Sequence, residues 1–383
     1  MFDNATSTRT EDDIPLEMKI IWGLLSFIII TLSCFGNIIV IKVLYKNLKF
    51  PFCQKKSSKR RISITTATAI YTHHQNQLCD TNYTRRSINV RSSSGLDTNT
   101  NESRERKQLS NGLSESSRIK SLFLFNLCLA DIIQPFLTIP SSFYNDILGL
   151  KWSTLIVKLT VSFQGITYLV SAFTHVLISF DRFIIIYYPL RPRMKYITAS
   201  TLVAMVWILS LTCCLPVLII GKVVNGSYIE DWGKDSDEEN NKHSSYYTIG
   251  IMILQYFMPL CIICITYSAI FIKIHQLKNP GETSFCRENR MIRAKSRVIK
   301  TMITVAIIYG LSQSPKHIAY LIMPKLEIAD SQKKSLWIAV SFISISSCCY
   351  NPLIYCWINQ KFRHHFIRMF KICLTFGHYR GKK

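Results

Sequence analysis

The sequence contains no Walker loop, no His-Glu-x-x-His and no Gly-x-Ser-x-Gly, so phosphoryl transfer, zinc hydrolysis and serine-hydrolase chemistry have no local signature. Zinc spacing is missing as well. Cys213-Cys214 and Cys348-Cys349 are adjacent pairs, and His73-His74 and His364-His365 lack partners at ligand spacing, so no metal site is expected. Internal repeats and paired broken helices, the marks of a secondary transporter, are absent too, which leaves a membrane transporter as a weak rival reading. Acidic residues are few: 23 stand against 46 Lys and Arg, a net charge of +23 that raises nucleic-acid binding as a reading for the charge distribution to decide.

Long apolar runs are plentiful. Seven occur, at about 20–44, 121–144, 154–186, 198–220, 247–274, 298–323 and 335–358. Each reaches the ~20 residues with which an α-helix crosses ~30 Å of hydrocarbon. The expected fold is therefore all-α: a membrane protein built as a seven-transmembrane helix bundle. The first run is too long for a signal peptide, its flank Glu11-Asp12-Asp13 is acidic, and no small-residue cleavage pattern follows.

With the N-terminus outside, most Lys and Arg fall in the cytoplasmic connections and tail, while the outer loop at 221–246 carries Glu230, Asp231, Asp235, Asp237, Glu238 and Glu239. This is the positive-inside asymmetry, and seven spans leave the C-terminus cytoplasmic. Basic charge beside anionic membrane lipids needs no nucleic acid to explain it. The chain divides into an extracellular segment at 1–19, a first span at 20–46, a basic and polar cytoplasmic insertion at 47–117 expected to be disordered, the other six spans with their loops at 118–358, and an amphipathic eighth helix with tail at 359–383. Phe362, Phe366 and Phe370 recur every four residues in that last segment, and Cys373 just beyond is a candidate palmitoylation site. Asn4-Ala5-Thr6 and Asn225-Gly226-Ser227 are glycosylation sequons on outer segments. None of the 13 Cys lies outside on this topology, so no extracellular disulfide is expected.

Polar residues inside the runs carry the functional signal. Asp131 is an ionisable residue within a span, which is costly and normally faces the bundle interior. Asp181-Arg182-Phe183 follows one run, and Asn351-Pro352-Leu353-Ile354-Tyr355 lies inside another. Pro352 cannot complete the helix ladder and permits a kink, while Ser347 and Asn351, four apart, share a face. Arg182 beside Asp181 either pairs and releases in a switch or reaches for lipid phosphate.

Gly36-Asn37, Asn126-Leu127 with Ala130-Asp131, Asp181-Arg182-Phe183, Trp207 with Pro216, Pro259 with Tyr267, Pro315, and Asn351-Pro352 with Tyr355 stand in order, each in its own run. The chain thereby resembles the rhodopsin-like family of G-protein-coupled receptors. Gln255-Tyr256-Phe257-Met258-Pro259-Leu260, Tyr350 to Asn359 and Phe362-Arg363 resemble the peptide-receptor branch around neuropeptide Y receptors. The resemblance implies a plasma-membrane receptor for a peptide, acting on a heterotrimeric G protein, with a non-signalling peptide scavenger as the alternative. Asp181, Arg182, Tyr267, Asn351, Pro352 and Tyr355 would form the activation switch and coupling face. Asp131, Ser171, Ser347 and Asn351 resemble the family's allosteric sodium pocket, or form a satisfied polar core without an ion. Gln164, Tyr168, Gln313, Lys316, His317, Tyr320 and Trp337 correspond to ligand-pocket positions, with core packing as the alternative for Tyr168 and Trp337. Gln164 in place of an amine-pairing Asp, and Ile345 in place of the retinal Lys, argue against an amine ligand and light sensing.

Departures from the pattern are specific. Val157 replaces the Cys at the outer start of the third helix, and the 221–246 loop has no Cys to pair with it, so packing must hold that loop or leave it mobile. Gln313 replaces a Trp and His175 an apolar residue, two polar insertions expected to raise signalling without ligand. The six loop acids suggest a ligand of basic character.

Overall fold

The computed structural model describes residues 15–48, 98–148, 153–188, 193–224, 227–233, 236–276, 285–358, 363–364 and 366–368, without the side chains of 46–48, 98–114, 285–302 and a few single positions. Seven long helices follow in chain order: α1 Leu16–Leu48, α2 Thr98–Ser142, α3 Thr154–Tyr187, α4 Tyr196–Ile220, α5, α6 Phe285–Ile322 and α7 Asp330–Ile358. Helix α5 runs from Asp237–Met252 through a wide turn at Ile253–Phe257 into Met258–Gln276. All seven apolar runs are thus helical. At 25 residues α4 is about 37 Å long, enough for the hydrocarbon core.

The bundle is apolar on the outside and polar within. Asn37, Asn126, Asp131, Thr174 and Gln313 are buried between helices, whereas Phe27, Ile208, Ile265 and Leu311 are more than half exposed. Water would reverse that arrangement, and a lipid surround requires it. Among the described residues six helices are long and apolar enough to cross a membrane. Helix α6 is 38 residues long, and Gln313, Ser314, Lys316 and His317 lower the hydropathy of its second half.

Apolar packing forms one layer at each level. Phe123, Leu127, Ile270, Val305 and Tyr355 pack near one end. Ala130, Leu169, Val170 and Val206 join α2, α3 and α4. Ile139, Ile338 and Phe342 pack toward the other end, where Trp22 stacks on Phe342 with centroids 5.0 Å apart. Close approach depends on a small residue at Gly36, where a Cβ would stand 2.9 Å from the Pro352 Cβ.

Two boundaries differ from expectation. Helix α1 begins at Leu16, directly after Pro15, rather than at 20. Helix α2 begins at Thr98, so its first twenty residues fall within the 47–117 segment. Propagating a helix from an already formed span costs far less than nucleating one, and no Pro interrupts 98–134. Residues 49–97 lie outside the described residues. Beyond α7, residues 363–364 and 366–368 are helical, and the Phe366 ring meets Phe35 of α1 edge-on at 6.1 Å.

Helices α4 and α5 are joined by an antiparallel hairpin, β1 Gly221–Val224 with β2 Ser227–Glu230, in the register Gly221↔Glu230 to Val224↔Ser227. Gly221 must be Gly: a Cβ there would meet the Tyr228 ring and the Val217 carbonyl, both at 2.7 Å. Ser236 caps α5 by accepting from the Glu239 N–H at 3.2 Å, the Ser-x-x-Glu start signal. Asn240 then closes the loop, accepting from the Trp232 N–H at 2.7 Å and donating to the Glu230 carbonyl at 2.8 Å.

Candidate functional site

The motif residues converge in the middle of the bundle. Asn351 Nδ2 donates to Asp131 Oδ2 at 2.7 Å, tying α7 to α2. Ser33 donates to the Asp131 carbonyl at 2.6 Å, and Asn37 donates to the Ser33 and Cys348 carbonyls at 3.0 Å each, so α1 joins the same knot. A second knot binds α2, α3 and α4: Asn126 donates to Thr174 Oγ1 at 2.7 Å and accepts from Trp207 Nε1 at 2.8 Å. Beside the first knot lies a cavity of ≈ 10 Å³, the size of one water or small ion. Asp131, Ser171, Ser347 and Asn351 all line it, together with Tyr309 and Tyr350. All four residues expected to form a sodium pocket are therefore gathered around one space.

At one end of α3 the Arg182 guanidinium pairs with its neighbour Asp181, Nη2 to Oδ2 at 3.3 Å, with both side chains largely buried. Tyr267 and Tyr355 are buried together in the apolar layer that holds Phe123 and Ile270. Pro352 sits inside α7 between Asn351 and that end.

The hairpin end holds a cavity of ≈ 1260 Å³. Gln164, Tyr168, Lys316, His317, Tyr320 and Trp337 line it, six of the seven expected pocket residues. Aromatic contacts set their positions. Lys316 Nζ lies 4.7 Å above the Tyr168 ring and 5.8 Å from that of Trp337, and His317 stacks on Tyr256 at 4.6 Å.

Gln313 is the exception and corrects the expectation. It is 2% exposed and lies below the cavity floor, where its amide bridges α6 to α7. Nε2 donates to the Ser344 carbonyl at 3.4 Å and to Ser347 Oγ at 3.3 Å, and Oε1 accepts from the Ser344 hydroxyl. Gln313 is thus satisfied rather than strained. His175 differs: Nδ1 bonds the Ser171 carbonyl at 2.8 Å and the ring stacks on Tyr309 at 4.7 Å, but the buried Nε2 meets no partner among the described residues.

Two functional residues escaped sequence reasoning. Ser344 links Tyr168, at 3.1 Å, to Gln313. Its place three residues before Ser347, on one helix face, was a usable signal. Tyr309 carried none beyond its aromatic character. The nine described cysteines are all unpaired, and Val157 is buried where a Cys was missed. Asn4, Asn225 and Cys373 lie outside the described residues.

Hairpin electrostatics alter the picture of six free acids. Lys222 pairs with Asp231, and its ammonium, aided by the Gly233 N–H at 2.9 Å, holds that carboxyl below the usual carboxylate range. Glu238 pairs with Lys242 at 2.7 Å. Glu230 accepts from Ser244 at 2.8 Å and is the one described acid that lines the large cavity.

A seven-helix membrane bundle with a polar core and a wide cavity at one end defines the class. Sequence comparison gives the family: the profile of the 7 transmembrane receptor (rhodopsin family) matches residues 114–355, and the chain belongs to that receptor family, which is not a family of enzymes. It is 31% identical over 261 residues to the RYamide receptor of Drosophila melanogaster, covering 66% of this chain and 56% of that protein. To the tachykinin-like peptides receptor 99D of the same species it is 30% identical, over 67% of this chain and 51% of the relative. To the human substance-P receptor it is 28% identical, over 55% of this chain and 53% of the relative. The chain spans about half the length of these relatives.

Proposed function

We propose that this chain is a plasma-membrane receptor that a peptide activates and that acts on a heterotrimeric G protein through the Arg182 end. One observation carries the reading. A buried hydrogen-bonded path runs from the floor of the large cavity, at Tyr168, through Ser344 and Gln313 to Ser347, whose cavity also holds Asn351 and Asp131. A ligand that moves Tyr168 or α6 therefore acts on α7, which carries Pro352 within it. The relatives' names refer to peptides, and a cavity of ≈ 1260 Å³ exceeds the usual small-molecule range.

In this reading Gln164, Tyr168, Lys316, His317, Tyr320 and Trp337 contact the ligand. Arg182, Asp181, Tyr267, Asn351, Pro352 and Tyr355 form the switch. The carboxylate of Asp131, the Ser171 and Ser347 hydroxyls and the Asn351 amide oxygen offer oxygen ligands around a space that fits a small hard cation, so an allosteric sodium ion belongs there. The hairpin and Asn4 face outside, and Cys373 carries a palmitoyl anchor beside the amphipathic helix.

The test is G-protein dissociation in cells challenged with a peptide library. At least one peptide is expected to activate the natural chain and not Arg182→Ala at matched surface expression. Surface binding without dissociation would favour a scavenger and overturn the signalling role. Glycosidase-sensitive mass lost on Asn4→Gln or Asn225→Gln checks the orientation, and sugar on Asn82 would reverse it.

A further inference from the structure

The charges that face the large cavity are not those of the loop as a whole. Of the loop acids with described side chains, Asp231 and Glu238 are paired with lysines, and Glu239 does not line the cavity. Glu230 lines it while engaged by Ser244. Two lysines also line it, Lys316 on α6 and Lys334 on α7. Among the described residues the wall thus carries two lysines against one glutamate, at odds with the basic ligand expected from the acid count.

Lys316 is the more telling of the two. An ammonium within a membrane span is expensive unless it has a partner. Among the described residues Lys316 has neither a carboxylate at ion-pair distance nor a hydrogen-bond acceptor. Its contacts are the faces of Tyr168 and Trp337, at 4.7 and 5.8 Å. Ring faces hold a cation in place by their quadrupole without neutralising it. An oriented ammonium with no described counter-charge, facing a concave cavity, is a receptor for an anion.

We infer that Lys316 receives a carboxylate at the buried end of the ligand, a free peptide C-terminus or an acidic side chain, with the Tyr168 and Trp337 rings fixing the ammonium for it. The inference rests on the peptide-receptor reading and narrows it to a peptide that is acidic where it inserts. Tyr168 is also the first member of the path to Gln313, so drawing the ammonium off its ring couples the anion to the helix that the path reaches.

The experiment uses the full chain in cells and an octapeptide library in which every sequence is made both as free acid and as amide. The most potent peptide is then tested, with each of its carboxylates neutralised in turn, against the natural chain, Lys316→Met and Lys316→Arg. One neutralisation and Lys316→Met are each expected to lower potency about 30-fold or more, the usual cost of leaving one buried charge without its partner. Together they lower it little further, and Lys316→Arg recovers most of the loss. Lys325→Gln, exposed just beyond α6 and outside the cavity wall, serves as a control for general loss of positive charge and is expected to change potency only a few-fold. An active peptide that keeps its potency with all carboxylates neutralised, or whose losses add to that of Lys316→Met, overturns the inference and leaves the peptide receptor intact. Silence of the whole library overturns both.

Discussion

Replacing Gln313 by Leu removes a bridge between α6 and α7 without orphaning its partners. Ser344 keeps Tyr168 at 3.1 Å, and Ser347 keeps the Ser344 carbonyl at 2.7 Å. Three hydrogen bonds are lost, two of them long at 3.3 and 3.4 Å. Interhelical hydrogen bonds in membranes average about 0.6 kcal/mol, which puts the bridge at roughly 1–2 kcal/mol. Arg182 is paired with Asp181 here, and if that pair marks the resting receptor, as the proposed switch requires, the bridge belongs to the resting state. If activation separates α6 from α7 at this level, losing the bridge shifts the active-to-resting ratio by about 5- to 30-fold. The assay is ligand-free G-protein dissociation at matched surface expression, with thermal unfolding of the purified chain alongside. Gln313→Leu is expected to unfold at lower temperature and to signal more without ligand. An unchanged or lower basal signal would refute the assignment of the bridge to the resting state.

Three other outcomes follow from neighbouring sites. His175→Leu removes a buried ring nitrogen that has no partner among the described residues, so it is expected to stabilise the resting state by about 1 kcal/mol or more and lower basal signalling; an equal or higher signal would show that His175 is satisfied in both states. Trp207→Phe breaks the 2.8 Å bond to Asn126 and is expected to cost about 0.5–2 kcal/mol, read as a fall in melting temperature with surface expression retained; no change would mean that the α2–α3–α4 knot is held by packing alone. Asn240→Ala cuts both loop-closing bonds, and hydrogen exchange at Glu230 to Gly233 is expected to quicken about 5- to 30-fold while the helices stay protected; slow exchange there would place the loop's stability in the strands instead.

Much of the architecture was legible because lipid imposes a simple grammar. A span has to be long, apolar and hydrogen-bonded within itself, so seven runs gave seven helices and one lone Asp gave the centre of the core. Four residues from three helices could be assigned to one cavity because each lies in a motif with its own helix and depth. Depth along α6 was harder. Gln313 and Lys316 are three residues apart, yet one is sealed beneath the cavity and the other lines it, since the boundary is drawn by the Tyr168 ring from another helix. Partnerships decided the rest. The acid count suggested a basic ligand, but Lys222 and Lys242 occupy two of those acids in pairs that no count of charge by segment reveals. The beginning of α2 within a polar insertion was hidden for a related reason: propensity is weak there, and the span that follows supplies the nucleus.

The absence of a disulfide at Val157 changes what the loop can do. A disulfide restrains mainly by removing freedom from the open chain, typically about 2–4 kcal/mol, and it does so permanently. Here the same region is tied by reversible bonds. Lys158, next to Val157, donates to the Ile219 carbonyl at 3.2 Å, Tyr247 donates to the Cys213 carbonyl at 2.7 Å, and Asn240 clasps the hairpin from α5. At about 0.5–1.5 kcal/mol each, these four bonds match a disulfide in sum while any one of them can open alone. Tyr228, Glu230, Asn240 and Ser244 belong both to this loop and to the wall of the cavity. A ligand that enters therefore competes with the loop's own closing bonds, and the energy that orders the loop is set against the energy of binding. Reductant should leave ligand affinity unchanged, because no bond it can break lies among the described contacts of the loop; a large loss of affinity would require a covalent tie between cysteines that this arrangement keeps apart.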